Sequence, residues 1–147
     1  MNILYILKHF PCRSQTFVRN EIAELTRRGC VVHVASAIDL KDDAGLLDPD
    51  LASRTFYLEH DYIYRYAATG TYTDADVHEK AARARSAADD PVPRAERERV
   101  WDVVSCSEDD AAVRERGFLE SLGLVRLLRT AQIEHIHCDF AEENVKL

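Results

Sequence analysis

Glycine and proline are scarce in this chain, five and four among 147 residues, and no tract repeats or is dominated by one residue type. Collagen-like, low-complexity and repeat architectures are thereby excluded. Apolar stretches near the roughly 20 residues of a membrane-spanning helix are missing too. The opening run, Ile3 to Leu7, stops at Lys8 and His9 without the basic lead and small-residue cleavage site of a secretory signal. The expectation is a cytoplasmic protein that works, where it meets a membrane, at the inner face. Positive charge is also short: 19 bases against 26 acids leave a formal charge of −7. Such a surface repels polyanions, so nucleic acid is not an expected partner. A local basic and apolar strip can still reach a bilayer, and Arg126 and Arg129 beside Leu124, Leu127 and Leu128 could form one; an ordinary surface helix face is the plainer account.

Cysteine spacing excludes more. Cys12, Cys30, Cys106 and Cys138 form no C-x-x-C pair, which argues against a zinc site and a secreted disulfide framework. Reduced thiols are expected, with Cys30 and Cys138 as small core residues inside apolar runs and Cys12 exposed in a loop. What remains, 46% apolar and 31% charged, is the composition of an ordinary globular domain, and at this length one core is the rule.

The order of patterns predicts an α/β fold. Asn2 to Leu7 is nearly continuous apolar sequence, as in a parallel strand covered on both faces, and Pro11 opens a loop after it. From about Thr16 the period becomes helical, with Phe17, Val18, Ile22 and Leu25 on one side. Arg27-Arg28-Gly29 then suits a helix end, with glycine in the left-handed region, and Val31 to Ala37 follows as a second buried strand. This strand, helix, strand unit opens a doubly wound sheet with right-handed crossovers. Arg54 to Leu58 reads as a short third strand, and Tyr57, Tyr62, Tyr64, Tyr66 and Tyr72 as a half-buried surface. Helices are expected around Asp74 to Ala88 and Ala95 to Val104, broken by Asp-Asp-Pro-Val-Pro, with charges that alternate in sign as on solvated faces. A further amphipathic helix carries Phe118, Leu122 and Val125, closes at Gln132 despite Gly123 at its centre, and leads into a strand from Ile133 to Phe140.

Ligands in open α/β sheets bind at the carboxyl ends of strands. The first such loop, Lys8 to Thr16, lacks G-x-G-x-x-G, so an ordinary dinucleotide site is not expected. It offers His9 and the hydroxyls of Ser14 and Thr16 at a helix N-terminus, able to meet an anion or a sugar hydroxyl or, more plainly, to cap the helix. His135, His137 and Asp139 share one face of the last strand. Adjacent same-face positions on a flat strand rarely converge on one ion, so no metal is expected; only the carboxyl-end residues reach a cleft, and His135 packs. His33, alternating with valines, reads as a hydrogen-bonded core histidine, while His60 and His78 have no partner nameable from sequence.

Two of these segments resemble a known family. F-P-x-x-S-x-T-F-V-x-x-E-I at Phe10 to Ile22 resembles the start of family 4 glycosyltransferases of exopolysaccharide and colanic-acid type, with Gln15 where many have Glu. I-x-H-I-H-x-x-F-A at Ile133 to Ala141 resembles their H-I-H-A-H-F-A strand, with Asp139 in place of a second His. The resemblance implies a three-layer Rossmann-like domain with a mainly parallel sheet, incomplete relative to the family. It would be the N-terminal, acceptor-side half of a retaining transferase. Ser14, Thr16, His137, Asp139 and His9 would then line the acceptor side, facing a saccharide or lipid-linked acceptor. The donor half, with its E-x7-E motif and nucleotide-sugar, is not in this sequence. No cofactor bound by this chain is expected, no catalytic residue is assigned, and transfer by this chain alone is not expected: it would be a fragment, a truncated gene product, or one subunit of a split enzyme with a separate donor-binding chain. A non-catalytic Rossmann-like binding module, or a small α/β enzyme using His137 and Asp139 as a base pair, are the alternatives.

Overall fold

The computed structural model describes residues 1–38, 45–58 and 73–138, which fall into two compact units: Met1–Tyr57 with Leu128–Leu147, and Leu58–Leu127. In the first unit the strands are β1 (Asn2–His9), β2 (Val31–Ile38), β3 (Thr55–Tyr57) and β4 (His135–Cys138), with helices α1 (Thr16–Arg27) and α2 (Pro49–Ser53). All pairings are parallel, in the order β3-β2-β1-β4, so the chain adds β2 and β3 on one side of β1 and then returns to place β4 on the other. The fold is α/β and Rossmann-like, a parallel sheet flanked by helices.

The alternation of β1 explains its central place. Ile3, Tyr5 and Leu7 face one side and join Val32 and Val34 of β2, Val18 and Ile22 of α1, Leu51 of α2 and Phe10 in one core. Leu4 and Ala35, on the other face, are inaccessible as well. A strand stretch buried on both faces must be apolar, as β1 is from Ile3 to Leu7. Gly29 takes φ +85 beyond the end of α1, and the N–H groups of Arg28, Gly29 and Cys30 close that end on Glu24, Leu25 and Thr26. Phe17 departs from the expected stripe: it is 49% exposed, because the buried face of α1 narrows to Val18 and Ile22. Arg54 fastens α2 to the sheet, its Nε donating to Val32 O at 3.0 Å and its fork gripping Asp50 at 2.8 and 2.7 Å.

β4 corrects two expectations. Cys138 is exposed, not a core residue, and His135 is exposed rather than packed; Ile136 is 46% accessible. The reason is position: among the described residues β4 is an edge strand paired only to β1, so its apolar residues lack neighbours on one side. Asn2 and Glu134 sew that pairing, with the Asn2 N–H donating to the Glu134 carboxylate at 2.6 Å and Asn2 Nδ2 donating to Ala131 O at 3.1 Å. Gln132 ends the preceding helix at φ 49.

The second unit is helical: α3 (Asp74–Ser86), α4 (Arg94–Ser107) and α5 (Ala111–Ala131), the last running beyond it into the first unit. Thr73 and Asp76 form a reciprocal capping box on α3, and hydrogen bonds from the Thr73 N–H and hydroxyl hold the Asp76 carboxyl below its usual range. Val77, Ala81, Ala84, Val92, Phe118, Leu119 and Leu122 make the core, with Trp101 edge-on to Phe118 at 5.3 Å. The alternating charges are not all on solvated faces: Lys80 and Arg97 are buried. Arg97 donates to Val92 O and Ala87 O and so staples the turn between α3 and α4. The acidic and tyrosine-rich segments at 39–44 and 59–72, with His60, Tyr62, Tyr64, Tyr66 and Tyr72, lie outside the described residues.

His33 is half-buried, stacked on Phe56 at 6.3 Å, and its Nδ1 finds no hydrogen-bond partner, against the expectation of a hydrogen-bonded histidine. Desolvation, with the Arg54 charge added, lowers its pKa below the ordinary imidazole value. The unfolded chain therefore takes up the proton first, and stability falls as pH drops through the ordinary imidazole range. Urea denaturation at falling pH should show a slope that His33→Phe flattens. Phe118→Ala should cost about 3–5 kcal/mol in the same assay, since its neighbours cannot close the void.

Candidate functional site

In open α/β sheets ligands sit where the strand order reverses. The sheet extends from β1 to β2 and β3 on one side and to β4 on the other, so the carboxyl ends of β1 and β4 border the one reversal of order among the described strands. On the β1 side the chain passes from His9 through Phe10, a cis bond to Pro11, Cys12, Arg13 and Ser14 into α1. His9 is half-buried, in register with Ile38, while Ser14 and Thr16 are exposed at the mouth of α1. Loop and helix start are joined by Gln15 N–H donating to Cys12 O at 3.1 Å.

Neither hydroxyl caps α1. The N-cap is Gln15, which makes no side-chain cap bond; the polar contact of Ser14 is with Cys12 Sγ at 3.1 Å. Cys12 is accordingly half-buried and not an exposed loop thiol. No acidic residue stands in the first turn of α1; Lys8, on β1, and Arg13, in the loop, are both exposed. The Gln15 side-chain carbonyl is buried without a hydrogen-bond partner. The N-cap residue of α1 thus supplies no side-chain acceptor, and a helix start of this kind favours oxygen-rich ligands.

His137 takes a different station. It pairs with Tyr5 in the ladder and packs its ring on the Tyr5 ring at 4.6 Å, on the same face of the sheet as the core of β1. His9 is four residues further along β1, roughly 13 Å at about 3.3 Å per residue. Chain order thus places His9 at the end of β1 and Ser14 and Thr16 at the start of α1, and register leaves His137 on the inner stretch of the neighbouring strand. Asp139 lies outside the described residues.

The remaining histidine of note is His78, whose Nδ1 meets the Glu115 carboxylate at 2.6 Å across α3 and α5. No sequence signal joins residues so far apart. Gln15 was equally silent, since glutamine is not a preferred N-cap. Of the strip Leu124, Arg126, Leu127, Leu128 and Arg129, Leu127 is buried and Leu124 and Leu128 are half-buried, so the apolar members turn partly inward. No helix among the described residues is long and apolar enough to cross a membrane. Among those residues, no three His, Cys, Asp or Glu side chains group as metal ligands. Comparisons with family models, with curated proteins and with solved structures return no match.

The cap geometry makes a direct prediction. Ser14→Ala and Thr16→Ala should change folding stability by less than about 0.5 kcal/mol, because neither hydroxyl satisfies the helix. Gln15→Asp should stabilise by about 1 kcal/mol by supplying the missing acceptor. Chemical denaturation of the three variants checks both.

Proposed function

We propose that this chain is the acceptor-side part of a family 4 glycosyltransferase, which together with a donor-binding half moves a sugar from a nucleotide donor to a polysaccharide or lipid-linked acceptor. The observation that carries the reading is the uncapped N-terminus of α1 at the reversal of strand order, inside the segment whose sequence resembles that family. Ser14 and Thr16, whose hydroxyls are exposed and do not serve the helix cap, are suited to meet sugar hydroxyls or a phosphate oxygen. His9 would border the same mouth, and His137, with Asp139 after it, would line the β4 side. The role is acceptor binding: no nucleophile or general base is assigned, and the nucleotide-sugar belongs to the donor half. The cytoplasmic face of a membrane is the place such an acceptor would be met.

The test is titration of the chain with short exopolysaccharide fragments and with a polyprenyl-diphosphate-linked sugar, followed by calorimetry and amide chemical shifts. Saturable binding centred on residues 9–16, weakened about tenfold by a Ser14→Ala, Thr16→Ala double variant, is the expected outcome. Binding of a nucleotide-sugar at that loop, or no saccharide binding together with no donor-domain gene in the adjacent reading frame, would leave the binding-module alternative in its place.

A further inference from the structure

Arginine is placed unusually in the second unit. Ala82, Arg85, Ser86, Arg94, Arg97 and Glu98 line a recess of about 280 Å³ between the end of α3 and the start of α4. Arg97 forms part of the wall and is only 3% exposed; its terminal nitrogens are spent on Val92 O and Ala87 O, and its Nε has no partner. Arg85 lies over the Trp101 ring at 4.1 Å, and no carboxylate pairs with it among the described residues. Stacking holds its planar fork in place while leaving the N–H donors free. Arg94 gives its Nε to Glu98 at 2.9 Å and keeps two terminal nitrogens.

The local charge count decides what could enter. Arg85, Arg94 and Arg97 are opposed by Glu98, paired to Arg94, and by Asp90, 3.8 Å from Arg97. The balance is positive on a chain of net −7, and the positive surplus is the guanidinium that lacks a partner. An ion pair already complete would need no such concavity; an oxyanion with several acceptor oxygens matches one fork and the spare donors of a second. We infer that the recess between α3 and α4 is a binding site for a phosphate group, gripped by Arg85 and Arg94 with buried Arg97 as its charged floor. The site is separate from the α1 mouth and does not depend on the function proposed for it.

Trp101 is the only tryptophan of the chain and touches Arg85, so its emission reports directly on this recess. Inorganic pyrophosphate, titrated at low ionic strength against matched chloride, should change that emission saturably. Calorimetry should then show binding weakened about tenfold or more by Arg85→Gln and by Arg94→Gln, and in part restored by Arg85→Lys, which returns the charge but not the fork. Arg94 is 79% exposed, so its variant keeps the test open if Arg85→Gln disturbs the packing of Trp101. Sedimentation with phosphatidylcholine vesicles, with and without phosphatidic acid, separates the sources: arginine-dependent binding to the acidic vesicles alone assigns the phosphate to a lipid headgroup, and to free pyrophosphate alone, a soluble ligand. A response equal to chloride, or unchanged affinity in both glutamine variants for both probes, would overturn the inference.

Discussion

The pairing of β1 on both of its edges is the constraint on which the first unit rests. Parallel neighbours demand crossovers, and a strand between two others must be apolar on both faces. Leu4 and Tyr5, adjacent in sequence and facing opposite ways, are both inaccessible. From that requirement follow the helix that returns the chain to β2, the glycine that lets it turn in so little length, and the loop that leaves β1 at its carboxyl end. The reversal of strand order is then a property of β1 alone, because it is the strand with β2 on one side and β4 on the other.

Periodicity made most of this legible. The run Asn2 to Leu7, the shift to a helical period at Thr16, Gly29 and the next apolar run specify one strand, helix, strand unit with little freedom. A helix end with a chemical marker was equally readable, as at Arg27-Arg28-Gly29. Single-strand patterns say nothing of place in the sheet, however, and an edge strand such as β4 has the same apolar letters as a central one; exposed Cys138 and His135 follow from order, not from composition. Charge alternation fails for a related reason. Arg97 and Arg99 look alike along α4, and only the folded turn at Ala87 to Val92 supplies the carbonyls that make one of them worth burying.

The candidate sites divide along the same line. The α1 mouth could be found from sequence because it depends on local order, a strand followed by a loop and a helix. Its chemistry could not, since whether Ser14 caps the helix or leaves it open is a matter of one turn of backbone. The recess of Arg85, Arg94 and Arg97 lies between two helices whose charges read as solvent-facing, and it becomes visible only when each guanidinium is matched with its acceptors. In both places the informative quantity is hydrogen-bonding capacity left unspent on the fold.

The pairing of β4 with β1 also has a history in time. Asn2 and Glu134 are 132 residues apart in the chain, whereas β2 returns to β1 after one helix. Closing the longer loop costs roughly 1 kcal/mol more in chain entropy on the logarithmic scaling of loop length. Local contacts form ahead of distant ones, so the strand pair β1–β2 can assemble while the rest of the chain is still being ordered. The border between β1 and β4, where the strand order reverses, is then joined later than the β1–β2 pair, so the two halves of one sheet are set in place by contacts of different range.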